Sequence, residues 1–180
     1  MHITISQKSQ RGIGMVEVLV ALLLLSVGVL GFSALQSYAV YSTTESLNRT
    51  QALTVMRGLA ERIRVNGTTT AVLASYSSAM GSGAPTPPSE LCRSSGGSAT
   101  GCTSAQLALV DVYDARAAAW DSGIQLGMAA CPGTVGVGVR QCLVAAWDKT
   151  TPTIAAGTDA CMALDGTYRR EANCIVMEIY

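Results

Sequence analysis

The first residue that could take part in chemistry is Glu17, a single carboxylate inside a long apolar stretch without any other charge. As a helix rising about 1.5 Å per residue, the segment from Ile13 to Leu35 covers about 34 Å, enough to cross a hydrocarbon core of about 30 Å. An ionisable group in such a helix costs about 2.5 to 3.5 kcal/mol on insertion scales and usually marks a functional pairing. Glu17 therefore needs a cationic partner that the stretch itself does not contain.

Cleavage of the chain after Gly12 would create that partner, because the new amine at Ile13 lies one helical turn from Glu17. The carboxylate could pair with the amine of its own chain or with that of a neighbour. Lys8 and Arg11 precede the apolar stretch, so the positive-inside tendency predicts a cytoplasmic leader and an exported remainder.

Two simpler interpretations of this stretch remain as alternatives. A cleavable secretory signal has a shorter apolar core, about 7 to 15 residues, and Ser37-Tyr38-Ala39 is a poor match to its cleavage site. A plain single-pass anchor is the other alternative, with Glu17 reaching the headgroup boundary.

The residues from Gly12 to Gly28 resemble the class III signal of type IV pilin-like proteins. The resemblance implies cleavage by a prepilin peptidase after Gly12, N-methylation of Ile13, and Glu17 as the residue that docks a subunit against a neighbour's terminal amine. Ile13 departs from the phenylalanine usual at that position in the family. Gly14 is a second formal cut site, but cleavage there would move Glu17 out of the family's position.

Composition bounds the rest of the chain. Its 180 residues are 49% hydrophobic and 13% charged with a formal net charge of zero, which indicates one anchor and one modest domain. There is no basic surplus to drive phosphate binding, so a nucleic-acid partner is not predicted.

We predict a leader at 1–12, the transmembrane half of a long helix at 13–35, its amphipathic half at 36–66, and a periplasmic globular domain at 67–180.

The amphipathic half is predicted from helical spacing, and Asn66-Gly67 supplies a stop signal. Its apolar face comprises Leu47, Ala52, Val55, Met56, Leu59, Ala60 and Ile63.

Six cysteines lie beyond the helix: Cys92, Cys102, Cys131, Cys142, Cys161 and Cys174. An even number confined to the exported part indicates disulfides formed in an oxidising, periplasm-like compartment, with many pairings formally open. Short loops favour pairing each cysteine with its neighbour along the chain, in the order given. Zinc is a weak alternative because there is no Cys-x-x-Cys pair and the one histidine, His2, lies in the leader. No metal or cofactor is predicted.

The remaining elements are read from local patterns. Ala71 to Gly101 is rich in serine, glycine and proline, which predicts a long surface loop; a partner-binding role is the alternative. Thr103 with Gln106 forms a capping-box pair that starts a second helix, ending before Cys131. Its predicted apolar stripe is Leu107, Val110, Tyr113, Ala117, Trp120 and Ile124.

Short extended segments then follow at Val135 to Val139, Cys142 to Trp147 and Cys174 to Tyr180. They predict an antiparallel sheet packed on the long helix, an α+β architecture. The pilin resemblance implies the same architecture.

Catalysis is not indicated, because acid-base or nucleophilic chemistry usually needs histidine or grouped carboxylates. The chain beyond the leader has no histidine. Asp111, Asp114 and Asp121 are predicted to be solvated charges on a helix surface.

Two segments, Leu30 to Gln36 and Ala60 to Asn66, resemble the N-terminal region of the PilV family of minor pilins. This resemblance implies a role in priming and assembly of type IV pili within a tip complex, supporting twitching motility and adhesion. The implied partners are other minor pilins, the major pilin, the prepilin peptidase, the inner-membrane assembly platform and a tip adhesin. The implied location is the bacterial inner membrane and then the pilus. Alternatives are a type II secretion pseudopilin and a pilin component for DNA uptake.

Overall fold

The computed structural model describes residues 12, 14–89, 92, 101–134 and 139–179. The chain divides into two compact units, residues 1–44 and 45–180. The described part of the first unit is helical from Met15 onward. The second unit holds three helical segments, two small sheets and three disulfides.

Helix α1 spans Met15–Asn66 and is uninterrupted, as expected from a stretch without proline. It ends at Gly67, which has a φ of 115° and whose N–H donates to the carbonyl of Ile63 at 3.0 Å. A positive φ at this position is readily adopted by glycine and closes the last helical turn. The predicted stop at Asn66-Gly67 is therefore confirmed.

The second half of α1 buries a face close to the predicted one: Ala52, Met56, Leu59, Ala60 and Ile63. Leu47 is the exception, with 56% of its surface exposed. The apolar face that contributes to the core therefore begins later along the helix than the sequence pattern indicated.

Helix α2, Thr70–Ala79, corrects the prediction of a continuous loop from Ala71. The Thr69 side chain caps it by accepting a hydrogen bond from the N–H of Val72 at 3.4 Å. The segment is short and rich in alanine and serine, and it is held by burial of one large side chain, Tyr76, against the core.

Helix α3, Ser104–Trp120, starts with the predicted capping box: the Thr103 N–H donates to Gln106 Oε1 at 2.9 Å, and the Gln106 N–H donates to Thr103 Oγ1 at 3.3 Å. The predicted apolar stripe is correct only in part: Val110 is buried, but Trp120 is 41% exposed. Most of the buried face follows a neighbouring row of small residues, which lies in the core shared by the three helices and the sheet: Ala108, Asp111, Val112, Ala115 and Ala119.

The predicted continuation of α3 through Ile124 was also wrong. The helix ends before Gly123, which has a φ of 71°, and the chain then becomes extended. Strands β1 (Ile124–Ala130) and β2 (Gln141–Trp147) form an antiparallel pair. Of the predicted strand at Val135 to Val139, residues 135–138 lie outside the described residues.

The remaining strands are β3 (Thr151–Ile154), β4 (Ala160–Met162) and β5 (Cys174–Glu178). The main sheet is antiparallel, in the order β1-β2-β5, while β3 and β4 form a separate parallel pair. The predicted strands at Cys142 to Trp147 and from Cys174 are therefore present, and the α+β prediction is confirmed. Tyr180 lies outside the described residues.

The main sheet has a core on each face. One core packs α1, α2 and α3 against the sheet and includes Met56, Leu59, Tyr76 and Leu143. The other lies between the sheet and β4 and includes Val144, Met162 and the Cys161–Cys174 disulfide. Two further disulfides join Cys92 to Cys102 and Cys131 to Cys142, so every bond links neighbours along the chain.

Candidate functional site

The N-terminal site is built by the start of α1. Helix α1 begins at Met15, and the backbone N–H of Glu17 donates to the carbonyl of Gly14 at 2.9 Å. Glu17 thus lies in the first helical turn, exposed, where unpaired backbone N–H groups stabilise a negative charge. Gly12 is exposed, while Ile13, the predicted mature N-terminus and methylation site, lies outside the described residues.

The helix surface beyond Glu17 is apolar and uncovered. Every described residue from Gly14 to Thr44 is exposed, and α1 contains a window with a mean hydropathy of 2.6. By length and composition, α1 can cross a membrane. Residues of this kind in water would lose about 25 cal/mol for each Å² of apolar surface left uncovered. The surface is therefore suited to lipid or to other apolar helices.

The few hydroxyls in this segment are satisfied within the helix. Ser26 donates to the Leu23 carbonyl at 2.8 Å, and Ser33 donates to the Val29 carbonyl at 2.9 Å. A hydrocarbon environment offers no water to satisfy such groups, so internal bonding removes their cost. Glu17 is then the one charged group of α1 before Glu45.

A second polar site lies at Glu45, at the start of the second unit. Its two carboxylate oxygens accept hydrogen bonds from Trp147 Nε1 and from Arg49 Nε, each at 2.8 Å. The Trp147 contact joins α1 to the end of β2, far apart in sequence. Glu45 therefore orients the amphipathic part of α1 against the sheet.

A buried polar network joins all three helices. Tyr76 on α2 donates its hydroxyl proton to Asp111 Oδ2 on α3 at 2.7 Å. Asn66 on α1 donates to the Tyr76 hydroxyl at 3.0 Å and to the carbonyl of Ser104 at 2.8 Å. Arg62 lies 3.5 Å from Asp111 Oδ1. Each buried group thus has a partner, as burial of polar atoms requires.

The network changes the titration of Tyr76. Burial raises the pKa of the Tyr76 hydroxyl well above its usual value, and the hydrogen bond to Asp111 raises it further. The neutral phenol is the form that can donate to the carboxylate, so both effects favour it. Tyr76 acts as a structural donor here, because nothing in its surroundings makes it a base at neutral pH.

This site corrects the prediction that three aspartates of α3 are solvated. Asp111 is only 7% exposed, whereas Asp114 pairs with Arg62 at 3.4 Å and Asp121 is an exposed C-cap. The sequence signal was present but overlooked, since Asp111 stands in the small-residue row of Ala108, Val112 and Ala115. A carboxylate within an otherwise apolar row is the mark of a paired buried charge.

The described residues contain no group of three or more histidine, cysteine or acidic side chains arranged to hold a metal. All six cysteines are joined in disulfides.

Comparison with known families matches two adjoining parts of the chain. Residues 7–33 match the prokaryotic N-terminal methylation motif, and residues 34–113 match the Tt1218-like family, described as type IV pilin Tt1218. No curated protein and no solved structure matches the chain. The part that matches the methylation motif contains the predicted cleavage site and Glu17, while the part that matches the pilin family runs from the end of the apolar stretch into α3.

Proposed function

We propose that this chain, which combines an N-terminal methylation motif with a type IV pilin region, is a minor pilin that takes part in priming and assembly of type IV pili. The observation that carries the proposal is the exposed apolar surface of α1 with Glu17 as its only charge before Glu45. Such a surface suits a subunit that leaves the bilayer to pack its helix among the helices of a filament.

Assembly begins in this proposal with cleavage after Gly12 and methylation of Ile13. The new amine of a neighbouring subunit then pairs with Glu17, which neutralises a carboxylate that is costly in lipid. The Glu17 side chain thereby sets the axial register of the incoming subunit. The remaining apolar surface of α1 contributes packing without register specificity.

The domain beyond Thr44 is assigned to the periplasm before assembly and to the pilus surface afterwards. Three disulfides support an oxidising compartment. By its resemblance to the PilV family, we place the subunit in a tip-associated complex with other minor pilins, the major pilin and a tip adhesin, supporting twitching motility and adhesion. The prepilin peptidase and the inner-membrane platform are its partners during processing and assembly.

Mass spectrometry of the mature N-terminal peptide tests the processing step. The expected peptide begins at Ile13 and carries one methyl group. An intact leader, or a peptide beginning at Met15 after cleavage at Gly14, would contradict the proposed site and leave Glu17 without its assigned role.

Substitution of the carboxylate tests docking. Glu17→Ala should leave membrane insertion intact and abolish most co-purification with other pilins, because the amine of the neighbour loses its partner. Ser33→Ala is the matched control: it removes a polar group from the same exposed surface, but one bonded only within the helix at 2.9 Å. Equal incorporation of the Glu17→Ala and wild-type chains would overturn the docking role.

Deletion of the gene separates this proposal from a type II secretion pseudopilin, which would share the same helix and signal. A minor pilin predicts loss of surface pili and twitching with enzyme secretion retained. Loss of secretion with normal piliation would favour the pseudopilin instead.

A further inference from the structure

Strand β1 is an edge of the main sheet with an unpaired row of backbone groups. In an antiparallel ladder, hydrogen-bonded and non-hydrogen-bonded pairs alternate. The N–H of Cys131 donates to the carbonyl of Arg140 at 2.8 Å, so these two residues form a hydrogen-bonded pair. Counting back along β1 in steps of two, Gly127 opposite Val144 is also a hydrogen-bonded pair, and the residues between these pairs are not. The backbone groups of Leu126 and Met128 therefore point away from β2.

Nothing in the described part of the chain satisfies those outward groups, since no described residue bonds to the backbone of Leu126 or Met128 on that side. The opposite edge differs. There, the outward N–H of Val176 on β5 donates to the hydroxyl of Tyr168 at 3.2 Å. The sheet thus has one edge partly covered by its own chain and one edge, β1, whose outward backbone groups no described residue covers.

The open edge borders a groove of about 510 Å³, within the range of ligand-binding clefts. The groove lies between β1, β3 and the ends of α2 and α3. Gly127 and Pro152 form part of its wall, and a side chain at position 127 would collide with the Pro152 carbonyl oxygen. Apolar atoms of Met80 and Trp120 complete the opposite wall.

One cation lines this groove. Arg116 on α3 donates to the carbonyl of Gly83 at 2.6 Å, and it forms no ion pair with any described residue. A half-buried guanidinium beside apolar walls is a strong site for a carboxylate, because it can donate two parallel hydrogen bonds. The groove therefore offers backbone hydrogen bonds along one side and a positive charge on the other.

We propose that this groove binds an extended segment of a partner protein, which adds a strand to β1 and places a carboxylate on Arg116. Main-chain bonds to Leu126 and Met128 supply affinity, and apolar side chains of the segment enter the groove. The carboxylate supplies specificity and direction. This inference goes beyond the helix docking proposed above, since it concerns the globular domain and a different class of contact.

Binding of synthetic peptides to the purified full chain in detergent micelles tests the site. The probe is a fluorescein-labelled peptide of alternating valine and threonine with a free C-terminal carboxylate, compared with its C-terminal amide. Fluorescence anisotropy should show the acid binding about tenfold more tightly than the amide, as expected for a charge-assisted pair. A peptide N-methylated at alternate amides should not bind, because it cannot form the ladder.

Three variants make the test specific. Arg116→Gln should remove the preference for the acid. Arg116→Lys keeps the positive charge and a donor for the Gly83 carbonyl, so it should retain part of that preference. Arg57→Gln, at an exposed arginine of α1, is the matched control and should bind as wild type does. Equal binding of acid and amide by the wild-type chain, or equal loss in Arg57→Gln and Arg116→Gln, would overturn the proposal.

A second copy of the chain is the competing occupant. Sedimentation that shows self-association abolished by Arg116→Gln, with no binding of the peptide, would overturn the assignment to a partner segment. Because these measurements use the isolated chain, their failure is distinguishable from a failure of Glu17→Ala to impair filament incorporation.

Discussion

The two units of this chain satisfy their side chains in opposite ways. From Gly14 to Thr44, no described residue is buried and the surface is apolar. Beyond Glu45, the chain forms two cores, pairs the buried Asp111 and joins its cysteines in disulfides. The comparison teaches that the domain carries its own stabilising contacts, whereas the apolar part of α1 presents an uncovered surface suited to lipid or to other apolar helices. Changes in the two units should therefore have different consequences.

The largest expected loss of stability comes from the buried disulfide. Replacing both Cys161 and Cys174 with serine should lower the free energy of unfolding by about 3 kcal/mol, because a loop of this length is released in the unfolded chain. Urea denaturation of the full chain in detergent measures this loss of unfolding free energy. Replacing Cys92 and Cys102 is the matched control and should cost less, since Cys102 is exposed. Equal losses would show that burial of the sulfurs adds nothing.

The next largest loss of stability is expected at Gly127, whose backbone lies against that of Pro152. Gly127→Ala should cost about 2 kcal/mol, because the added methyl group meets the Pro152 carbonyl and forces β1 and β3 apart. Gly58→Ala in α1 is the control: nothing lies within 4 Å of that position, and alanine is the better helix former. Its thermal midpoint should be equal to or above that of the wild type. An unchanged midpoint in Gly127→Ala would contradict the close packing of β3 on β1.

Removal of the Tyr76 hydroxyl should cost about 1 to 2 kcal/mol, because Asp111 loses its closest donor while buried. Tyr113→Phe serves as the control, at a half-buried tyrosine of α3, and should change stability little. Chemical denaturation of both variants measures the difference. A similar small effect in both would mean that Arg62 and solvent satisfy Asp111 without Tyr76.

The same hydroxyl predicts a dependence on alkaline pH. The pKa of Tyr76 is raised in the folded chain, so its contribution is fully present below the usual tyrosine value of about 10 and is lost as pH rises above it. Denaturation midpoints measured from neutral pH upward should fall less steeply in Tyr76→Phe than in the wild type. If the midpoints of Tyr76→Phe and the wild type fell equally steeply with pH, ionisation of Tyr76 would not be the cause of the lost stability.

The smallest expected effect on stability is that of Glu17→Ala. The Glu17 side chain is exposed, so the unfolding midpoint of the domain should remain that of the wild type even though incorporation into pili is expected to fall. This outcome would sharpen the contrast between the units. A lowered midpoint would show that the exposed part of α1 contributes to the stability of the domain.

Local sequence patterns were sufficient where one signal dominated. The uninterrupted helix, its stop at Gly67 and the capping box of Thr103 follow from single residues or long periodic runs. Strand β2 was also evident, because Cys142 to Trp147 is a continuous apolar run. The structure buries every residue of that run.

Tertiary packing decided the elements that the patterns missed. Ile124 fits the helical spacing of α3, but Gly123 turns the chain before it, and the residues from Ile124 onward pair with β2 as a strand. In α3, the large side chains suggested one face, but the core shared with the other helices and the sheet buries mainly the small row with Asp111. The open edge of β1 could not be foreseen either, since it depends on the order of strands that are distant in sequence.

The contact between Trp147 and Glu45 also gives the molecule an optical reporter. Trp147 is 4% exposed and bonded to a carboxylate, whereas Trp120, the other tryptophan, is 41% exposed at the groove. Iodide should therefore quench the emission of Trp120 and spare that of Trp147. The light emitted by the native chain can thus report separately on occupation of the β1 edge and on the junction where α1 meets the sheet, without any added label.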